Sequence, residues 1–230
     1  MKTTRPVVLV LLLLAAPAAG QAQSGFGDGY GYSINASNPN TLTITDYTGP
    51  GGAVTIPTNI NDLTVTSIGD TAFNYSNLTS VTIPYSVTTI GFGAFALCTN
   101  LVSVTIGNSV TSIGQSAFYS CIHLTSVTLP GSVTSVGKGA FNLCTRLTSV
   151  TIGNNVTSIG ESAFSSCTNL TSVTIPDSVT SIGNGAFNLC TRLTSVTIGN
   201  NVTSIGELAF SSCINLVSAV CWDAPAPVPG

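Results

Sequence analysis

The chain has 230 residues, of which 43% are hydrophobic and only 6% charged, with a formal net charge of −3. That balance excludes a disordered polyelectrolyte, which needs low hydrophobicity and high charge, and leaves enough apolar surface for a sizeable core. Five Lys and Arg against eight Asp and Glu provide no basic patch for nucleic acid, and one histidine, His123, leaves little for imidazole chemistry.

Residues 1–22 read as a secretory signal peptide: a basic start (Met1-Lys2-Thr3-Thr4-Arg5), an apolar run from Val7 to Ala16, and small residues at Ala18-Ala19-Gly20-Gln21-Ala22. The apolar run is too short to cross a bilayer as a helix, so no stable membrane span is expected after cleavage. No cysteine follows the expected cleavage point, which argues against a lipoprotein anchor. A secreted or cell-surface location is the expectation.

Residues 23–52 form a Gly-rich lead-in and an N-terminal cap. Ser24 to Gly31 is predicted to be flexible. Tyr30, Tyr32 and Ile34 alternate with polar or small residues, Asn35 to Asn40 is turn-like, and Leu42 and Ile44 alternate again. This predicts a β-hairpin that covers the first repeat, because an open solenoid end exposes both sheet edge and core. Tyr30, Tyr32 and Tyr47 are expected to pack this cap.

From residue 53 to 215 the chain repeats itself. Leu78, Leu101, Leu124, Leu147, Leu170 and Leu193 each open a copy, 23 residues apart, and Val81, Ile83, Val87, Ile90, Ala94, Phe95 and Cys98 recur in phase. A degenerate copy, Ala53 to Asn77, precedes them; it carries extra residues near Asn61 and lacks the cysteine. Such a period marks a solenoid of α/β type, in which one copy cannot bury its apolar flank alone and a stack can.

Within a copy, Ser172-Val173-Thr174-Ile175 alternates like a half-buried strand. Pro176 and Asp177 turn the chain, since proline fixes its own φ and donates no hydrogen bond. Val179 to Ile182 is a second β-rich run ended by Gly183. Ala186 to Cys190 lacks β-branched residues and predicts one short helical turn. Stacking copies about 4.8 Å apart would give parallel sheets over columns of like side chains. Phe95, Phe118, Phe141, Phe164, Phe187 and Phe210 form the expected core column.

Residues 124–169 and 170–215 differ at only six of 46 positions, which suggests recent duplication of a two-repeat block. Two such blocks are poor candidates for two different chemical sites. Residues 216–230 hold a terminal strand and a Pro-rich tail, in which Pro225, Pro227 and Pro229 would stop further strands from adding.

The pattern LTSVTIPxSVTSIGxxAFxxC resembles the BspA-like (Treponema pallidum type) leucine-rich repeat, a secreted or surface family mainly of bacteria. The resemblance runs from about Ala53 to Val220, and the Tyr/Gly-rich lead-in is similar to the caps that precede such arrays. It implies a curved solenoid used for adhesion or protein binding, in some members to host matrix proteins, and it implies no catalytic residues.

Individual candidates bear this out or stay open. His123 sits where other copies have Asn100, Arg146, Asn169, Arg192 and Asn215, a solvent-facing turn without partners for a triad or a zinc site. Cys98, Cys121, Cys144, Cys167, Cys190 and Cys213 form a column that is either a set of inert buried thiols or a ladder of disulfides or metal ligands; neighbour spacing alone allows a bridge. Paired Ser and Thr from Ser80/Thr82 to Ser195/Thr197 should line one sheet face, either as a solvated β surface or as a surface that orders water or a polysaccharide. The Asn154-Asn155 and Asn200-Asn201 turns lack the clustered carboxylates of a Ca²⁺ site.

Tyr85, Phe92 and Tyr119 occupy positions that are polar, glycine or alanine in other copies, so they are expected to face outward and to form a partner-binding patch. The sequence thus predicts a non-enzymatic, exported interaction protein with no cofactor and no metal, binding a protein ligand. The alternative is a structural component whose Ser/Thr face meets glycan or water.

Overall fold

The computed structural model describes residues 24–221; the predicted signal peptide and the tail from Trp222 lie outside the described residues. At the N-terminus, Ser24–Gly27 (β1), Tyr30–Ile34 (β2) and Thr41–Tyr47 (β3) form an antiparallel meander, and β3 then runs parallel to Leu63–Ile68 (β6) of the first coil. The Gly-rich lead-in predicted to be flexible is therefore a third strand beside the expected hairpin. The extra residues of the degenerate copy form Asn59–Ile60 (β5), which folds back antiparallel onto β6. Asn61 and Asp62 bridge them with φ of 50° and 64°, the two left-handed positions a tight two-residue hairpin needs.

Every later coil gives one strand to each of two ladders. The wide ladder holds Gly52–Thr55 (β4), Leu78–Thr82 (β7), Ser103–Thr105 (β9), Ser126–Thr128 (β11) and Ser149–Thr151 (β13), then separately Ser172–Ile175 (β15), Ser195–Ile198 (β17) and Ser218–Cys221 (β19). The narrow ladder continues from β6 through Thr89–Ile90 (β8), Ser112–Ile113 (β10), Ser135–Val136 (β12), Ser158–Ile159 (β14), Ser181–Ile182 (β16) and Ser204–Ile205 (β18). Pairing is parallel and in phase with the repeat, as in Val127↔Val150 and Ile159↔Ile182.

The expected helical turn is absent, and no helix occurs among the described residues. A helical N–H would bond four residues back within its own coil. Here the N–H groups of Gly185, Phe187 and Leu189 reach instead to the carbonyls of Glu207, Ala209 and Ser211 in the next coil, at 2.8, 2.7 and 2.9 Å. The intervening N–H groups of Ala186, Asn188 and Cys190 close turns three residues back, at 3.2, 3.0 and 3.3 Å. This alternation needs left-handed backbone at two places per coil, φ +60° at Gly185 and +59° at Leu189. The first place is glycine in only three copies; Thr71, Ser116, Ser162 and Leu208 hold it elsewhere. Each non-glycine there costs about 1–2 kcal/mol, which the inter-coil bonds offset.

The interior is a set of columns. Tyr47, Phe73, Phe95, Phe118, Phe141, Phe164, Phe187 and Phe210 stack with ring centroids 4.9–5.3 Å apart, the planes within 8° of parallel beyond Phe95. Phe73 to Phe187 are fully buried, whereas Phe210, in the last complete coil, is half-buried. Close approach of successive coils fixes a glycine after each narrow strand: a Cβ on Gly183 would meet Glu161 N at 2.5 Å and Gly160 C at 2.7 Å, both backbone.

Candidate functional site

The repeat sorts its polar groups into three columns, which differ in what they leave for a ligand. The first is internal. Cys98, Cys121, Cys144, Cys167, Cys190 and Cys213 are free and buried, and each thiol donates to the carbonyl of the Phe in the preceding coil, from Cys98 Sγ to Phe73 O at 3.0 Å through Cys213 Sγ to Phe187 O at 3.2 Å. Burial pushes the Cys98 thiol up to about 12 and raises Cys121, Cys144 and Cys167 above their ordinary value. Cys190 is raised by its hydrogen bond with Cys213 and by burial. Thiols so protonated are poor nucleophiles. The arrangement makes them packing groups that also satisfy a backbone acceptor.

The second column is hydroxylic, and its rows behave differently. Thr88, Thr111, Thr134, Thr157, Thr180 and Thr203 each donate Oγ1–H to the carbonyl of the Thr one coil back, at 3.1–3.2 Å. These hydroxyls tie coil to coil. On the wide ladder, by contrast, Ser103, Thr105, Ser126, Thr128, Ser149, Thr151, Ser172 and Thr174 are exposed, while Ser80, Ser195 and Thr197, towards the ends of the predicted array, are half-buried.

That face is not uniform. β13 and β15 are not hydrogen-bonded to one another, and the Thr171 N–H reaches Thr148 O at only 3.5 Å, against 2.9 Å at the steps on either side. Two adjoining hollows open there, of about 290 and 530 Å³, and they share Asn154, Thr174 and Pro176. Asp177 and Asn200 line the larger one, where the Asp177 carboxylate accepts the Asn200 N–H at 2.8 Å. Sequence reasoning missed this trough. Its only signal was Asp177 standing where the duplicated block has Gly131.

The third surface is aromatic. Tyr85 is 72% exposed and Phe92 47%, as expected, while Tyr119 is half-buried. The three are not gathered into one cluster: Tyr85 precedes β8, Phe92 follows it, and Tyr119 belongs to the turn column of the next coil. Tyr75, passed over because its copy is degenerate, is 73% exposed in a left-handed turn of that same column, and its N–H donates to Ala96 O at 3.0 Å.

His123 is half-buried, with Nδ1 2.6 Å from Thr99 O. Asn155 and Asn201 donate to the carbonyls of Gly131 and Asp177, at 2.5 and 2.8 Å, so their amides join coils. Among the described residues no three His, Cys, Asp or Glu side chains are gathered for a metal ion, and no helix is long and apolar enough to cross a membrane.

Comparison with known proteins agrees with this architecture. The BspA type leucine rich repeat region matches residues 66–192 and 158–224, in six copies. No curated protein matches the chain. Among solved structures, a leucine-rich repeat protein of Treponema pallidum is 30% identical, with a TM-score of 0.77 over 84% of this chain and 91% of that one. A leucine-rich cell-surface protein of Faecalibacterium prausnitzii is 29% identical, with a TM-score of 0.51 over 88% of this chain and 77% of that one. A leucine-rich repeat protein of Bacteroides capillosus is 32% identical, with a TM-score of 0.51 over 56% of this chain and 96% of that one.

Proposed function

The chain belongs to the BspA-type leucine-rich repeat family, and from that premise we propose that it is an exported, non-enzymatic binding protein that adheres to protein ligands. The observation that carries the reading is the exposure of Tyr75, Tyr85 and Phe92, at 73, 72 and 47%, as aromatic side chains held outward on the N-terminal coils. Large rings held outward on a rigid scaffold supply contact area at low entropic cost, as binding hot spots do. Tyr119, half-buried in the turn column of the next coil, stands apart from Tyr85 and Phe92. The signal peptide at residues 1–22 would deliver the protein to the outside, and the described similarity to a cell-surface protein supports that destination.

The test is binding of secreted and extracellular-matrix proteins to the immobilised protein, compared with a variant carrying Tyr75→Ser, Tyr85→Ser and Phe92→Ser. These positions are exposed, so the fold should be kept, as circular dichroism would check. Loss of at least one partner's affinity by tenfold or more is the expected outcome. Unchanged affinity for every captured partner refutes the reading.

A further inference from the structure

We infer that the trough at the break in the wide ladder binds a neutral, extended, β-linked oligosaccharide, laid along the solenoid axis with one sugar per coil. Several independent observations meet there. After the proline-corner strands the next residue extends the ladder, the N–H groups of Ile83 and Leu129 donating to Thr105 O and Thr151 O, both at 2.9 Å, whereas after the glycine-corner strands Ile106 and Ile152 make no such bond. Only at Ile152 does this coincide with a step at which the strands themselves, β13 and β15, are also unpaired, and Ile152 and Thr174 both line the smaller hollow. Ser178 Oγ, on the wall of the larger hollow, is buried without a hydrogen-bond partner, as is its counterpart Ser86 Oγ, whereas Ser132 Oγ at the same position donates to Val110 O at 2.6 Å.

The chemistry of the lining selects the ligand. Hydroxyls of Thr151 and Thr174, the amides of Asn154 and Asn200, and the Asp177 carboxylate offer donors and acceptors in alternation, over the aliphatic ring of Pro176. No Lys, Arg or His lines either hollow, so an anionic ligand finds no counter-charge. An uncharged polyol ring has the matching mixture of hydroxyls and apolar faces. Unpaired polar groups inside such a site also reject ligands that cannot hydrogen-bond.

Spacing then decides the arrangement. The coils beneath the trough advance by 5.2–5.3 Å, the centroid steps from Phe141 to Phe210. That advance is close to one pyranose of an extended β-1,4-linked chain, so equivalent groups on three successive coils meet equivalent groups on three successive sugars. The rest of the wide face continues the same rhythm in Ser and Thr, which gives a longer chain further, weaker contacts.

The test is calorimetric titration of the full chain with soluble chitohexaose and cellohexaose, together with co-sedimentation on insoluble chitin and cellulose. Saturable binding to at least one of the four probes is expected. Thr174→Lys should weaken it at least tenfold by filling the trough, Asn154→Ala should weaken it several-fold, and the Tyr75/Tyr85/Phe92 variant should leave it unchanged. Circular dichroism superposable on that of the unaltered chain establishes that the exposed Thr174→Lys and Asn154→Ala variants remain folded. No saturable binding to any probe, or binding that both trough variants retain in full, overturns the inference.

Discussion

Truncating Phe164 to alanine probes the stack where it is most regular. The ring is fully buried and lies between Phe141 at 5.2 Å and Phe187 at 5.3 Å. Its removal forfeits about 2 kcal/mol of apolar transfer. Two stacking contacts are lost as well, at about 0.5–1 kcal/mol each. The surrounding coils are pinned by backbone ladders and cannot collapse into the space, which places the total at about 3–5 kcal/mol. Phe210 is the internal control. It is half-buried and stacks on one side only, on Phe187 at 5.3 Å, so Phe210→Ala should cost about half as much. Urea melts followed by circular dichroism measure both. A loss under about 1 kcal/mol for Phe164→Ala, or equal losses at the two positions, would refute the reasoning that rings in the column are held by both neighbours.

Two further expectations concern backbone and protons. Ser162, at φ +53°, stands where the adjacent copies on either side have Gly139 and Gly185, so Ser162→Gly should raise stability by about 0.5–1 kcal/mol. Gly183→Ala should lower it by about 1–3 kcal/mol, because the new Cβ meets backbone of the preceding coil; thermal melts that show the two changes with the same sign would contradict the geometry. For the thiols, Cys98 rises from 9.0 to about 12 on folding, so the folded state holds the proton more tightly. Stability is therefore complete below about pH 9 and falls as pH rises toward 12. Cys98→Val should flatten that alkaline limb in urea melts taken at several pH values, and an unaltered slope would refute the assignment.

Much of the fold was legible because one observation, the 23-residue phase, places every apolar residue of a copy in a column. The rings at Phe95 to Phe187 and the thiols at Cys98 to Cys190 lie inside as that phase requires. The helical turn was misread for a reason of the same kind. Within one copy, Ala186 to Cys190 has helical composition, and the bonds from Phe187 and Leu189 that defeat a helix run to residues in the next copy. Ser116 and Leu189 give no local warning of left-handed backbone, since neither residue type favours it. The trough was invisible for a different reason. It depends on β13 failing to pair with β15, a difference in ladder geometry between copies whose strands read alike, Ser-Val-Thr-Ile in both. Tyr85 and Phe92 were found by comparing copies, whereas Tyr75 escaped because its own copy is out of phase.

The corners after the wide strands alternate, with Pro84, Pro130 and Pro176 interleaved with Gly107, Gly153 and Gly199. Each of these glycines rests on the proline below it: a Cβ on Gly153 would lie 2.5 Å from Pro130 O, and one on Gly199 would lie 2.6 Å from Pro176 O. A proline corner set directly on another would bring that forbidden carbon. The one such succession, Pro84 after Pro57, falls where β5 replaces the tight corner of the first coil. Genetic recombination that drops a glycine-corner coil therefore sets proline on proline and creates a steric fault, while exchange of whole pairs is silent. A pair of coils is thus the unit that always passes without penalty, and lineages carrying longer or shorter versions should keep proline corners apart.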